Sequence, residues 1–413
     1  MSKNKILQPK IRFKEFSGEN AEAWEQRKLK EFGQATGGTS IESEFIEGGK
    51  YKVISIGSYS EQSVYKDQNI RVELTDKTRN RVLNKDDLTM ILNDKTTSGN
   101  IIGRVLLIES DDSYVYNQRT ERIEPDHKMY DSQFLYQMFN APIIRSKIIK
   151  KAQGNTQIYV NWSVVSELDY LVPKLDEQSQ IGLFFKYLDN CITLHQRKLE
   201  TLESLKKTLL SKMFPKNGKA VPELRFAGFT DNWEQRKASE LFKSISDKNH
   251  PNLPVLSASQ EKGMILRDDI GIDIKYDHKS LSNYKRVTPG QFVIHLRSFQ
   301  GGFADSQMEG ITSPAYTVID FKEKDQSHSL FWKEILTSQS FIKRLETVTY
   351  GIRDGRSISF SDFSTLKFIV PKLDEQEKIA VLFKILNQTI TLHQRKIEQY
   401  QELKKTLLSK MFI

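Results

Sequence analysis

The chain has 413 residues, of which 38% are hydrophobic and 28% are charged, a composition typical of folded domains rather than of disordered chains. No apolar run approaches the roughly 18 residues that a membrane span needs, and the single cysteine, Cys191, excludes an internal disulfide, so we expect a cytoplasmic protein. The formal net charge of +9 favours a polyanionic partner, although the basic residues are spread along the chain.

A tandem duplication organises the chain. A leader, PKIRFKEFSGENAEAWEQRK, spans Pro9–Lys28 and returns as PELRFAGFTDNWEQRK at Pro222–Lys237. A longer segment that begins with PKLDEQ runs from Pro173 to Phe214 and again from Pro371 to Phe412, without a gap and with most positions identical. The order is therefore leader, variable domain and helix, repeated twice.

The variable regions, 29–172 and 238–370, share an architecture but little sequence. Aligned aromatic residues near their ends, Trp162 and Phe360, are best interpreted as shared core, and the residues before them, Asn161 and Ser359, are predicted N-caps of a short helix. The other predicted elements are strands at Tyr51–Ile56 and Gln291–Leu296 and late amphipathic helices at Gln133–Lys150 and Ser329–Leu345.

Each PKLDEQ segment is predicted to open a long helix, because proline ends the preceding strand and acidic residues in the first turn favour the helix dipole. Apolar residues then recur in heptads, which predicts a coiled coil with helices roughly 55–60 Å long. We expect the two helices to pair antiparallel around a pseudo-twofold axis, although a generic dimerisation arm would show the same pattern. The residues expected at the seam are Ile181, Leu188, His195, Leu202, Leu209, Ile379, Leu386, His393, Tyr400 and Leu407.

Two histidines, His195 and His393, occupy the same seam position in the two helices. They are either a polar pair that fixes the register or ordinary hydrogen-bonded histidines. The predicted fold class is α+β, with two mixed α/β domains separated by the two antiparallel helices in a pseudo-twofold tandem repeat. The predicted boundaries are 1–172, 173–214, 215–370 and 371–413.

Polar loops that differ between the two halves are the candidate binding residues. The loops are Gln153–Tyr159, Tyr350–Ser357, Asn93–Asn100 and His295–Gly302. Asn and Gln can pair with adenine edges in the major groove and Arg with guanine, although any single residue here could belong to a plain solvated loop. The candidate DNA-binding residues are Lys95, Asn155, Gln157 and Tyr159 in the first domain and Arg297, Gln300, Arg353 and Arg356 in the second.

Motifs for catalysis are not found in the sequence. An adenine methyltransferase would need an N/D-P-P-Y/F loop, a translocating motor a P-loop, and a nuclease a PD…ExK cluster. The seven histidines show no metal-ligand spacing, so we expect no metal site. The sequence therefore favours a binding or scaffolding role and no cofactor on this chain.

The duplicated layout, the PKLDEQ entrances, the LKKTLLSKMF helix ends and the two WEQRK segments at Trp24–Lys28 and Trp233–Lys237 closely resemble the specificity subunits of type I restriction-modification enzymes. The resemblance covers essentially the whole chain. It implies that each variable domain is a target-recognition domain that reads one half of a split double-stranded DNA site. The paired helices would set the spacer between the halves.

The resemblance also implies partners. Two modification subunits, which bind S-adenosylmethionine and methylate adenine, would dock on the helices. Two restriction subunits, which use ATP and Mg²⁺ to translocate and cleave DNA, would complete the complex. Half-site centres should lie about one helical turn apart, ~10 bp, and the site should be asymmetric. The alternatives are a stand-alone nuclease or methyltransferase with unrecognised motifs and a coiled-coil adaptor that binds no nucleic acid.

Overall fold

A computed structural model describes residues 8–18, 21–216, 219–259, 262–270, 278–295, 302–345 and 359–413. The chain divides into two compact units, which comprise 1–197 with 394–413 and 198–393. The helices are α1 (Ser132–Asn140), α2 (Pro142–Ile149), α3 (Trp162–Val165), α4 (Leu175–Lys212), α5 (Ala238–Leu241), α6 (Ser329–Leu336), α7 (Gln339–Leu345), α8 (Phe360–Ser364) and α9 (Leu373–Met411).

The strands of the first unit are β1 (Glu25–Lys28), β2 (Gly33–Gly37), β3 (Phe45–Ile46), β4 (Tyr51–Ile54), β5 (Arg71–Val72), β6 (Leu88–Ile91), β7 (Asn93–Asp94), β8 (Val105–Leu107), β9 (Tyr114–Tyr116), β10 (Thr120–Pro125), β11 (Ile158–Tyr159) and β12 (Asp169–Val172). Two four-stranded sheets, in the orders β2-β10-β6-β8 and β3-β5-β4-β9, form its centre. The first sheet is antiparallel and packs its core face against α1 and α2.

The strands of the second unit are β13 (Glu234–Lys237), β14 (Phe242–Ile245), β15 (Leu256–Ser259), β16 (Gly263–Leu266), β17 (Lys285–Val287), β18 (Phe292–Ile294), β19 (Phe303–Asp305), β20 (Gly310–Thr312), β21 (Thr317–Phe321) and β22 (Lys367–Val370). A four-stranded antiparallel sheet in the order β14-β21-β18-β19 corresponds to the first sheet of unit 1. Both units therefore mix sheet and helix, as the α+β prediction requires.

The long helices pair antiparallel, and each contributes one half to each unit. In the first unit the rings of Phe185 and Phe412 lie 6.0 Å apart, and Lys404 bonds Asp189 at 2.6 Å. As the residue numbers along α4 increase, the numbers of the contacting residues in α9 decrease, so the two helices run in opposite directions. In the second unit the ring of Phe214, just past α4, lies 6.1 Å from Phe383 of α9. The predicted fold class is confirmed.

The repeated leaders have a structural role that the sequence did not reveal. The EQRK segment of each leader forms a strand, β1 or β13, which pairs with the strand before PKLDEQ, β12 or β22, in the same register. Before it, Arg12 donates two bonds of 2.6 Å to Glu177 at the start of α4, and Arg225 bonds Glu375 of α9 at 2.8 and 2.7 Å. Each glutamate also accepts a bond from a leader tryptophan indole.

The leaders also hold the far ends of the helices. The amide of Ile11 donates to the carbonyl of Lys410 at 3.1 Å, and the amide of Leu224 donates to Lys212 at 2.9 Å. These bonds satisfy carbonyls that lack a partner in the last turn of a helix. The phenylalanine after each helix then packs against aromatic side chains of the same unit, which explains why both repeats end in KMF.

One polar position on the helices differs between the units. Asp189 accepts a bond of 2.8 Å from Gln137 of α1 and pairs with Lys404. The equivalent of Asp189 in α9, Asn387, donates at 2.9 Å to Glu334 of α6, whose carboxylate lies 3.7 Å from Lys206. In the first unit the acid is on the long helix and the amide on α1, whereas in the second unit the acid is on α6 and the amide on the long helix. Each unit therefore keeps one acid, one amide and one lysine in this contact.

The two late amphipathic helices are interrupted, and the prediction of one continuous helix in each was wrong. In the first domain Ala141 is extended and Pro142 begins α2, because proline cannot donate an amide bond and disfavours a helical residue before it. In the second, the hydroxyls of Thr337 and Ser338 bond the carbonyls of the preceding turn. Such bonds compete with the helical ladder.

The two predicted N-caps also behave differently. Ser359 accepts a bond of 3.1 Å from the amide of Asp362 at the start of α8, as expected of a capping serine. Asn161 occupies the N-cap position of α3, as predicted, but its side chain makes no capping hydrogen bond. The strand predictions are close: β4 ends two residues early, and β18 lies inside its predicted range.

Candidate nucleic-acid interface

A short ladder brings two loops of the first domain together. Strand β7 pairs with β11, which places Asn93 opposite Tyr159 and Asp94 opposite Ile158. The amide of Val160 then donates to the carbonyl of Leu92 at 2.9 Å. The loop that carries Lys95 and the loop that carries Asn155 and Gln157 are therefore adjacent, although some sixty residues separate them in the sequence.

Buried polar groups fix the shape of the first loop. Asp94 is buried and accepts bonds from the amide and hydroxyl of Thr96 and from the amide of Ile101, at 2.9, 3.0 and 3.0 Å. Arg145 of α2 donates to the carbonyls of Gly99 and Asn100 in the loop and of Ile102 just after it, at 2.9 to 3.1 Å. Burial lowers the pKa of Arg145 to about 10, so the guanidinium stays charged near neutral pH. The loop is held before any ligand arrives, which lowers the entropic cost of binding.

The second loop is a tight hairpin. Gln153 and Tyr159 exchange two backbone bonds of 2.9 Å. Gly154 makes the turn possible, because its φ is +107° and a Cβ there would lie 2.1 Å from the carbonyl oxygen of Gln157. Asn155 and Gln157 project from the hairpin as exposed side chains, and Tyr159 is 39% exposed.

The four candidate residues of the first domain thus share one surface. The side chains of Lys95, Asn155 and Gln157 have no hydrogen-bond partner in the part of the chain that the structure describes. Free amide and ammonium groups on fixed loops can donate to and accept from base edges and phosphates. The geometry leaves these side chains available for the predicted role.

Two basic residues beside the hairpin were missed. Lys150 and Lys151 follow α2 directly, are exposed, and lead into Gln153. Their position immediately before the polar loop could have identified them from the sequence, since phosphate contacts usually flank base-reading residues. They add two positive charges at the edge of the loop surface.

The candidate residues of the second domain, Arg297, Gln300, Arg353 and Arg356, lie outside the described residues. The structure does describe the strands that flank the first pair. The amide of His295, after β18, donates to Gly302, before β19, at 3.1 Å. These two strands hold the ends of the His295–Gly302 loop together.

The residues predicted at the seam between the two long helices are buried or partly buried. Ile181 and Leu188 are buried in the first unit, and Leu202, Ile379 and Leu386 are buried in the second. Partly buried seam residues are Leu209, Tyr400 and Leu407. His195 stacks on Tyr400 with ring centroids 5.7 Å apart, and His393 is half-buried.

Among the residues that the structure describes, no group of three or more His, Cys, Asp or Glu could hold a metal ion. No described helix is both long and apolar enough to cross a membrane. A duplicated frame whose polar loops differ in sequence between the two halves is typical of a two-domain recognition protein.

Comparison with known proteins gives the family. The sequence model of the type I restriction modification DNA specificity domain matches residues 21–204 and 230–402. The chain belongs to this family and is a type I restriction-modification specificity subunit, whose domains recognise DNA sequence.

Two similar proteins come from Methanocaldococcus jannaschii. The putative type I restriction enzyme MjaX specificity subunit is 24% identical over 303 residues, which are 70% of this chain and 67% of that protein. The MjaVIII specificity subunit is 23% identical over 351 residues, 79% of this chain and 78% of that protein. The fold is similar to the crystal structure of the S subunit of a type I system from M. genitalium, with a TM-score of 0.66, 14% identity, and coverage of 98% and 99% of the two chains.

Proposed function

We propose that this chain is the non-catalytic subunit that gives a type I restriction-modification complex its DNA sequence specificity, each variable domain reading one half of an asymmetric site. The supporting observation is that equivalent frames carry loops of unlike sequence. Both units use the same leader strands, the same Arg–Glu–Trp cluster and the same helix ends. Against this shared frame the loops differ in sequence, as two readers of different DNA sequences would.

The helices support a role in spacing. Each of α4 and α9 is a continuous helix that belongs partly to each unit. Two readers joined by such helices would bind their half-sites cooperatively, because binding of one domain raises the effective concentration of the other. In this proposal the helix length sets the spacer, and the half-site centres lie about one turn of duplex apart, ~10 bp.

An apolar stripe on the helices supports a role in docking. Leu194 is 67% exposed on α4, and its equivalent on α9, Leu392, is 55% exposed. Further exposed apolar residues occur at equivalent positions, namely Leu183, Tyr187 and Leu205 on α4 and Val381, Ile385 and Leu403 on α9. A stripe that appears twice fits two copies of one partner, and we propose that these are the two modification subunits.

The remaining activities are assigned to partners in this proposal. S-adenosylmethionine would bind to the modification subunits, and ATP and Mg²⁺ would act on two restriction subunits. This chain would hold no cofactor of its own. Cleavage of DNA or binding of S-adenosylmethionine by the purified chain alone would contradict this division.

The deciding experiment is to map adenine methylation across a genome with and without this chain, while the modification subunit is held constant. We expect a bipartite, asymmetric motif that is lost when the chain is absent. Expression of the chain without the modification subunit is the control and should give no methylation. A motif that persists without the chain, or one without two separate halves, would exclude the proposed function.

The docking stripe gives a second prediction. Leu194→Glu combined with Leu392→Glu should reduce co-purification of the modification subunit at least tenfold, because a charge would be buried in an apolar contact. Thermal unfolding of the isolated chain should change little, since both side chains are exposed. Gln196→Glu with Gln394→Glu, exposed and equivalent on the same helices, is the matched control. Unchanged co-purification by the leucine variant would exclude docking on this stripe.

A further inference from the structure

A small cavity of about 280 Å³ lies beside the loop surface of the first domain. It is formed where the turn before β10 meets the end of β2 and the residue after β6. Its lining includes Gly37, Gly38, Leu92, Gln118, Arg119 and Glu121.

Glu121 lines this cavity and has no hydrogen-bond partner within the described residues. It is only 6% exposed, and it has no ion pair within the described part of the chain. Its oxygen Oε2 would lie 3.3 Å from a Cβ built on Gly37, its neighbour across the β10–β2 ladder, so glycine leaves open space there. Burial raises the pKa of Glu121 to about 7, although Arg81 opposes the shift. An unpaired carboxylate can accept several hydrogen bonds, so this one has unused capacity to accept them from a ligand.

The cavity adjoins the base-reading candidates. Leu92 precedes β7, its amide donates to the carbonyl of Arg119, and its carbonyl accepts from Val160 after β11, both at 2.9 Å. Alternation along β10 places Glu121 on the same sheet face as Ile123. Ile123 packs in the same core cluster as Ile158 of β11. The cavity and the two loops are therefore supported by one sheet face.

A free cation stands at the edge of the cavity. Arg119 is exposed and makes no side-chain bond within the described residues. Its φ of +66° is unusual for a residue other than glycine, and the bond from Leu92 to its carbonyl holds that turn. Glu121, an acceptor, and Arg119, a planar donor, are thus two residues apart in the sequence and line the same cavity.

We propose that this cavity receives the major-groove edge of a C·G base pair, with Glu121 accepting a hydrogen bond from the N4 amino group of cytosine and Arg119 donating to O6 and N7 of guanine. This inference rests on the proposed function and names one base pair of the first half-site. Only cytosine N4 and adenine N6 donate hydrogen bonds in the major groove. Adenine also presents N7 as an acceptor, which would face the oxygens of the ionised carboxylate, so the ionised form of Glu121 favours cytosine.

The test compares two methylation motifs. One is given by the complete complex with the Glu121→Gln variant, and the other by the same complex with the unaltered chain. We expect the preference for cytosine at one position of the first half-site to fall roughly tenfold or more, with the second half-site unchanged. Glu124→Gln, a half-exposed glutamate on the same strand, is the matched control and should leave the motif intact. Arg119→Asn, at an exposed position, should relax the same base pair and provides a second variant if Glu121→Gln does not fold.

The outcomes are separable. An unchanged motif with either folded variant would overturn this inference while leaving the proposed function in place. If the variants lose a preference for adenine instead of a preference for cytosine, the inference is overturned as well. If the unaltered chain directs no bipartite methylation, the proposed function fails first, and this inference fails with it.

Discussion

Glu375→Ala is expected to lower the free energy of unfolding by about 3–5 kcal/mol, the range found when one partner of a buried ion pair is removed. Glu375 is 2% exposed and accepts bonds from Arg225 at 2.8 and 2.7 Å and from the Trp233 indole at 3.0 Å. Its loss would leave a poorly solvated guanidinium and a buried indole N–H without an acceptor. Chemical denaturation, monitored by circular dichroism, measures the change.

The matched control is Asp374→Ala, which removes an exposed carboxylate one residue earlier in the same helical turn. That change should cost at most about 1 kcal/mol, through the helix dipole. In the first unit Glu177→Ala should resemble Glu375→Ala, because Arg12 and Trp24 make the same contacts. Equal effects of Asp374→Ala and Glu375→Ala would show that the cluster does not hold the leader in place.

Insertion of one heptad into each long helix is expected to lengthen the spacer of the recognised site by up to about three base pairs. Seven residues add ~10 Å at about 1.5 Å per residue, and a base pair rises about 3.4 Å. A whole heptad preserves the pairing face, so the two helices should still pack. Because the loops are untouched, the two half-site sequences should stay the same.

Selection from a library of duplexes, in which the two half-sites are separated by every spacer from none to about two turns of duplex, measures the preferred spacer directly. A seven-residue insertion after Pro215, beyond the end of α4, is the control and should leave the spacer preference unaltered. Retention of the original spacer by the helix variant would contradict the ruler role. Loss of any spacer preference would contradict it too, since the half-sites would then bind independently.

Some features of this protein follow from the sequence alone. The two PKLDEQ segments predicted the start of α4 and α9 to within two residues, because proline, acidic first turns and heptads are local signals. The gapless duplication predicted two equivalent α+β domains and antiparallel helices. The candidate residues Lys95, Asn155, Gln157 and Tyr159 were selected only as polar loop residues, yet β7 and β11 bring them to one surface.

Other features could not be read from local patterns. The sequence predicted one helix over 133–150 because the apolar spacing continues across Pro142. The helix is interrupted there because proline has no amide hydrogen to donate to the preceding turn. Asn161 matched the preferred residue type for a cap, but residue type does not fix where a side chain points.

The sequence by itself determined the duplication, the fold class and the long helices, because these depend on periodicity and on residues close together in the chain. Only the tertiary structure decided that Arg12 meets Glu177, 165 residues away, and that Glu121 and Arg119 line one cavity. The physical reason is that burial and pairing depend on which distant segments pack together. A carboxylate in the sequence looks the same whether it ends in an ion pair, in water or in an open cavity.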